Sequence, residues 1–127
     1  MSKRILVIDD EEAVRKSFIL ALEDTDYQVE TVESGEKGFE RVQTNKYDLV
    51  FLDLKMPGMN GVETLRKLRK IDENVPVYIV TAFHKEFFDQ LKGVAEDGIG
   101  FEIVKKPLSS DRIVLITKGI LEGLQSF

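Results

Sequence analysis

Short apolar runs along the chain alternate with longer segments in which apolar residues return every three or four positions. The runs "RILVID", "QVETVE", "DLVFLD", "PVYIVT" and "FEIVK" predict strands over Arg4–Asp9, Gln28–Glu33, Asp48–Asp53, Pro76–Thr81 and Phe101–Lys105. Helical spacing between and after them predicts helices over Glu12–Asp24, Gly35–Thr44, Gly61–Lys70, Lys85–Glu96 and Ser109–Leu124. In the first helix the pattern is carried by Val14, Phe18, Ala21 and Leu22, and in the third by Val62, Leu65 and Leu68. "RILVID" and "DLVFLD" are almost continuously apolar, as strands buried on both faces must be, whereas "QVETVE" alternates and belongs at an edge. Strand and helix in regular alternation predict an α/β fold, a doubly wound parallel sheet covered by helices on both sides. The longest turn signal is "KMPGMNG", directly after the third strand.

Composition narrows the picture further. A chain of 127 residues, 43% hydrophobic and 32% charged, has the size and balance of one globular domain over 1–127, with no room for an effector domain beside it. Without cysteine there are no disulfides, thiolate ligands or cysteine nucleophiles. The apolar run Ile5–Ile8 is too short for a signal peptide or a membrane span, so an intracellular, cytoplasmic protein with no membrane contact is expected. A net charge of −5 offers nothing to a phosphate backbone, and direct nucleic-acid binding is not expected. Arg66, Lys67, Arg69 and Lys70 surround Leu65 and Leu68 as the solvated face of an amphipathic helix would.

In an open parallel sheet, ligands bind beyond the carboxyl ends of the strands, where loops converge and helix N-termini present free N–H groups. The first strand ends in Asp9-Asp10, the third in Asp53, the fourth in Thr81, and the fifth runs into Lys105-Lys106-Pro107; the second ends less distinctively in Glu33-Ser34. Right-handed crossovers that set the first and third strands side by side, with the fourth and fifth beyond, would gather three carboxylates, a hydroxyl and an ammonium into one pocket. Carboxylates so crowded raise one another's pKa unless a cation neutralises them. An oxygen-only donor set suits Mg²⁺ better than zinc. The groups together fit phosphoryl transfer, with Asp53 as nucleophile, metal and Lys as charge stabilisers, and Thr81 as a hydrogen-bond donor to a phosphoryl oxygen.

The segments "VIDDEE", "FLDLKMPGMNG", "IVTA" and "VKKP", in this order and each at a strand's end, resemble the receiver domain of two-component response regulators, most nearly the single-domain chemotaxis-regulator type. The resemblance spans the whole chain, which could also be a piece of a longer regulator. It implies a (βα)5 fold with the flavodoxin-like strand order 2-1-3-4-5. It also implies that Asp53 is phosphorylated by a sensor histidine kinase or a histidine phosphotransfer protein, and that an unidentified downstream protein reads the result. Asp10 would ligate Mg²⁺ directly and Asp9 mostly through water, with Asp53 and the backbone carbonyl of Lys55 completing the protein ligands and Mn²⁺ an acceptable substitute. Thr81 would be the switch hydroxyl, Lys106 would pair with the phosphoryl group, and Lys106–Pro107 would be cis. Side chains two beyond Asp53 and Thr81, Lys55 and Phe83, would set the lifetime of the acyl phosphate. Its own Mg-dependent phosphorylation and dephosphorylation would be the only catalysis, so the protein is not expected to be an enzyme in the usual sense. One element departs from the family pattern: the aromatic that usually stands three residues before the lysine is Ile103 here, and the nearest aromatic is Phe101.

Plainer readings stand beside these. A lone Asp at a strand end is a turn former, Thr81 alone is an ordinary strand residue, and only the following Pro distinguishes Lys106 from Lys105. Glu11 and Glu12 favour the start of the first helix through its dipole. His84, the only histidine, reads as a surface or loop residue. Met56 and Met59 read as loop packing, and Phe83, Phe87 and Phe88 with Ile113, Val114, Leu115, Ile116, Ile120 and Leu121 as mostly core. The last stripe is wider than one buried face needs, which together with Gly119 and Gly123 suggests a partner or dimer surface on the fourth helix, fifth strand and fifth helix; the chain would be a monomer or a phosphorylation-linked dimer. Three rivals remain open. A haloacid-dehalogenase-type phosphatase would need an acid where Lys55 stands, a flavin module would need a phosphate cradle where "DDEE" stands, and a phosphorylation-independent adaptor is opposed only by completeness of the set.

Overall fold

The computed structural model describes residues 2–82 and 85–123. In chain order the elements are β1 (Arg4–Ile8), α1 (Glu12–Ala21), β2 (Gln28–Val32), α2 (Gly35–Thr44), β3 (Leu49–Asp53), α3 (Gly61–Ile71), β4 (Val77–Thr81), α4 (Phe88–Glu96), β5 (Glu102–Lys105) and α5 (Ser110–Glu122). Among the described residues the strands form one parallel sheet in the order β2-β1-β3-β4-β5, as the strand pattern and the family resemblance predicted.

The alternation of side chains along each strand divides the core in two. Leu6, Ile8, Val50, Leu52, Val77 and Ile79 face α2, α3 and α4, where they meet Val42, Val62, Leu65, Leu68, Leu91 and Val94. Their neighbours Ile5, Val7, Leu49, Phe51 and Val80 face the other way and meet Phe18, Leu22 and Ile113 of the α1 and α5 side. β3 is buried at every position, while β2 and β5, the two edges, are exposed or partly exposed along most of their length. Phe18 and Phe51 stack at 4.7 Å between ring centres and lock α1 to the sheet centre.

Helix starts follow the local chemistry. Asn60 caps α3 by accepting from the Glu63 N–H while the Glu63 carboxylate accepts from the Asn60 N–H, a reciprocal box. Ser34 and Ser109 cap α2 and α5 in the simpler way. Most elements agree with expectation to within a residue at each end, and the larger differences lie in the helices. The segment Lys85–Phe87 is a 3₁₀ turn before α4, whose start moves to Phe88; α1 stops at Ala21, and the next residues turn toward β2; the expected end of the last helix, Leu124, lies outside the described residues.

The mostly-core reading of the aromatic and aliphatic stripe needs correcting. Phe87 and Ile113 are buried, but Phe88 and Leu115 are 45% and 64% exposed, and Val114, Ile116, Ile120 and Leu121 are only partly covered. Helix α5 packs on the sheet and on α1, and these together offer too little surface to cover six apolar positions. The basic cluster is also only partly solvated. Arg66 pairs with Asp97 at 2.8 Å, and Arg69 donates to the carbonyl oxygens of Asp72, Val75 and Gly100, which ties the loops before β4 and β5 together.

Gly61 opens α3 where it comes closest to β3: a Cβ there would stand 2.2 Å from the Asp53 carbonyl oxygen and 2.7 Å from the Leu54 Cα. Backbone atoms cannot swing aside as a flexible side chain can. Gly61→Ala is therefore expected to lose about 1–3 kcal/mol in urea unfolding, the ordinary cost of overpacking; an unchanged midpoint would show that the contact is not rigid.

Candidate functional site

The carboxyl ends of β1, β3 and β4 and the loop after β5 meet above the middle of the sheet. β1 and β3 are hydrogen-bonded neighbours with Ile8 opposite Leu52, so the residues that follow, Asp9 and Asp53, emerge side by side. Both are buried, at 2% and 4% exposure. Asp10, on the same loop as Asp9, is exposed, and one carboxylate oxygen from each of Asp9, Asp10 and Asp53 lies within 4.8 Å of the others. Among the described residues this is the one such cluster.

Lys106 enters the cluster from the far side. Its Nζ stands 3.0 Å from Asp9 Oδ2, 3.3 Å from Asp53 Oδ1 and 3.3 Å from Glu11 Oε1. The lysine is aimed by its backbone, since the Lys106 N–H donates to the Thr81 carbonyl oxygen at 2.7 Å; the Lys106–Pro107 peptide is cis. Thr81 itself ends β4 and is buried, opposite Lys105 in the register. Lys105 is exposed, so the lysine before the proline is the one delivered to the carboxylates.

Asp9 is held from several directions. Its Oδ1 accepts from the Glu11 N–H at 2.9 Å, its N–H donates to the Val32 carbonyl oxygen, and its own carbonyl oxygen accepts from Arg15 Nη1 at 2.9 Å. On the other side, the loop after β3 is pinned by Glu36 of α2, whose carboxylate accepts from the Met59 N–H at 3.1 Å. Gly58, at φ 73°, takes the left-handed turn there, where a Cβ would strike that same carboxylate. Lys55 points its ammonium to Glu86 at 3.7 Å, across from the 3₁₀ turn after β4. The resulting cleft, about 610 Å³, is lined by Asp10, Glu11, Asp53, Lys55, Met56, Pro57, Ala82 and Lys106.

Electrostatics follow from burial. Loss of water raises the Asp53 pKa to about 7, helped by the neighbouring Asp9 charge and opposed by Lys106. Asp9 is raised by the same desolvation, against the pull of the Glu11 N–H and Lys106. Burial works to lower Lys106, but Asp53, Asp9 and Glu11 outweigh it, and its pKa lies above the ordinary value. One ammonium thus faces more carboxylate than it can neutralise. Oxygen donors in close array, two of them desolvated, with no sulfur or imidazole among them, fit a hard divalent cation such as Mg²⁺.

The structure brings together Asp9, Asp10, Asp53 and Lys106, which the strand-end reading placed in one pocket, with buried Thr81 closing the adjoining strand; Lys55, which the resemblance added, lines the same cleft. Phe83 and His84 lie outside the described residues. Glu11 was not anticipated as a site residue. The sequence places it at a helix start, where it is the N-cap position of α1 without a capping side-chain bond, and its carboxylate turns instead to Lys106. Only its adjacency to Asp9-Asp10 in "DDEE" hinted at this.

Comparison with known proteins gives a consistent result. Residues 5–118 match the model of the response regulator receiver domain family. The chain is 32% identical over 126 residues to the transcriptional regulatory protein SrrA of Staphylococcus aureus, covering 99% of this chain and 51% of that protein. It spans about half the length of the curated relatives it matches. Among solved structures, a CheY-like receiver domain protein from Methanospirillum hungatei superposes with a TM-score of 0.82 at 26% identity, covering 97% of each chain. The response regulator protein TrrA from Thermotoga maritima, in complex with Mg²⁺-BeF, superposes at 0.77 with 33% identity, covering 94% of this chain and 99% of that one. Among the described residues no helix is long and apolar enough to cross a membrane.

The shifted carboxylate has a measurable consequence. A folded-state Asp53 pKa of about 7, above an unfolded value near 3.8, means that the native state holds the extra proton between those limits, so this residue makes stability fall as pH rises through the window. In EDTA at pH 7.5, Asp53→Asn is expected to be more stable than wild type by about 1–3 kcal/mol, with the difference shrinking toward pH 4. Urea unfolding at both pH values measures it; a wild type that is the more stable at pH 7.5 would contradict the assignment.

Proposed function

The chain belongs to the response regulator receiver domain family, and from that premise we propose that it is a phosphorylation switch in which Asp53 takes a phosphoryl group from a phosphohistidine. The observation that carries this reading is the buried Asp53 carboxylate, 3.3 Å from Lys106 and within the Asp9, Asp10, Asp53 cluster at the mouth of an open cleft. Asp9, Asp10, Asp53 and the Lys55 carbonyl would hold Mg²⁺. When bound, the ion offsets the negative charge of acceptor and donor so that the two anions can approach.

An Asp53 carboxylate oxygen attacks phosphorus; the new O–P bond forms as the N–P bond to the donor imidazole breaks, and the imidazole leaves with the electron pair and takes a proton. Lys106, already 3.3 Å from Asp53, gives its ammonium to the transferred group, and the Thr81 hydroxyl donates to a phosphoryl oxygen. Reversal to the resting state is hydrolysis: water attacks phosphorus, inorganic phosphate leaves and the carboxylate returns. This self-limited cycle is the only turnover proposed. The donor is a sensor histidine kinase or a histidine phosphotransfer protein.

The phosphorylated state would shift a two-state equilibrium of the turn after β4 together with α4 and β5. Phe88, Ile103 and Leu115, exposed at 45%, 43% and 64%, make that face the proposed site of protein-to-protein output. A net charge of −5 argues against direct nucleic-acid binding by these residues, and the proposed location is cytoplasmic. Lys55, where a haloacid-dehalogenase-type phosphatase would carry its second acid, favours a switch over a phosphatase.

Incubation with Mg²⁺ and acetyl phosphate is expected to add one alkali-labile phosphoryl group to wild type, seen by intact mass, and none to Asp53→Asn. Wild type that gains nothing, alongside a receiver that does, would leave the adaptor reading in its place. Lys55→Ala, which removes the side chain tethered to Glu86 at the cleft mouth, is expected to shorten the acyl-phosphate lifetime by opening it to water; an unchanged decay of the phosphorylated mass would refute that role.

A further inference from the structure

Glu11 has no part in the phosphoryl chemistry above, yet its carboxylate lies 3.3 Å from the Lys106 ammonium that the chemistry needs. Its backbone is fixed, because its N–H is spent on Asp9 Oδ1, and its side chain makes no cap for α1. It also lines the cleft through which any donor must enter. Charge balance then isolates it. The Lys106 ammonium and one divalent cation together neutralise Asp9, Asp10 and Asp53, and the Lys55 ammonium is matched by Glu86. Of the charged side chains that line the cleft, Glu11 alone is left over by this count; Arg15, whose guanidinium bonds the Asp9 carbonyl oxygen, does not line it.

We propose that Glu11 sets phosphodonor preference: it holds Lys106 in reserve and repels small anionic donors, slowing them relative to a protein donor. The inference rests on Asp53 being the phosphoacceptor. A small acyl phosphate enters as a dianion with no other contacts to offset the repulsion. A phosphohistidine on a protein brings a docking surface whose binding free energy can offset it. Lys106 is 15% exposed and sits between Asp9, Asp53 and Glu11, so an incoming phosphoryl group must compete with Glu11 for it. Glu12, one residue on, carries the same charge but is paired with Lys16 on the exposed face of α1 at 3.0 Å, which makes it the natural control.

The test compares wild type, Glu11→Gln and Glu12→Gln with two donors in saturating Mg²⁺: acetyl phosphate, a dianion, and phosphoramidate, which carries one negative charge fewer at neutral pH. Glu11→Gln is expected to speed phosphorylation by acetyl phosphate about threefold to tenfold at low ionic strength, with a smaller gain for phosphoramidate, and the gap should narrow in about 0.5 M salt. Glu12→Gln should leave the ratio of the two rates where wild type has it. In the metal-free proteins, the Lys106 ε-methylene resonance should move on Glu11→Gln and not on Glu12→Gln. An unchanged donor ratio in Glu11→Gln, or an equal change in Glu12→Gln, overturns the proposal while the phosphoswitch stands. Failure of wild type to be phosphorylated by either donor overturns the phosphoswitch, and the role of Glu11 with it.

Discussion

Two aspartates are buried at the ends of adjacent central strands and share a single ammonium, and the chemistry of the molecule depends on that imbalance. Asp9 and Asp53 are almost without water, so each is pushed toward protonation, and Lys106 is too little charge to hold both as carboxylates together with Glu11. The site is therefore incomplete in charge by construction. A divalent cation would restore the balance, and under the proposed function an incoming phosphoryl group would meet a nucleophile already stripped of solvent.

Rigidity is distributed to suit this. Around Asp53 the chain is over-determined: β3 is buried at every position, Gly61 abuts the Asp53 carbonyl, the Asn60–Glu63 box starts α3, and Glu36 pins the Met59 amide. Across the cleft the constraints thin out. A 3₁₀ turn, rather than a capped α-helix, follows β4; the N-cap position of α4, Phe87, offers no capping side chain; and β5 is mostly exposed. The proposed switch would use this asymmetry, with the acceptor held still and fewer constraints on the face proposed to respond. Arg69, bonded to carbonyl oxygens on both loops at the opposite end of the sheet, anchors the approach to β5.

The parts that were readable from sequence are those in which local pattern and final environment agree. Continuous apolar runs identified β1 and β3 as central, because only a strand covered on both faces can be apolar at successive positions; alternation in "QVETVE" identified an edge. Asp9, Asp10, Asp53 and Lys106 could be found because strand ends in a parallel sheet converge whatever the loops do. Phe88 and Leu115 were misread as core, since a period of three to four residues marks a helix but not how much surface lies opposite it. The same period failed to separate the 3₁₀ turn at Lys85–Phe87 from α4.

By itself the sequence determined the order of strands and helices, which acids and which lysine stand at strand ends, and the absence of any cysteine chemistry. Those are properties of spacing and residue type. Tertiary structure decided the rest: that Lys106 reaches Asp9, Asp53 and Glu11 at once, that Asp53 loses its water and titrates near 7, and that Glu11 turns into the cleft and away from capping its helix. Distances between residues some 40 to 95 positions apart, and the dielectric around them, are not encoded in any local window; they exist only once the two apolar faces of the sheet have been covered.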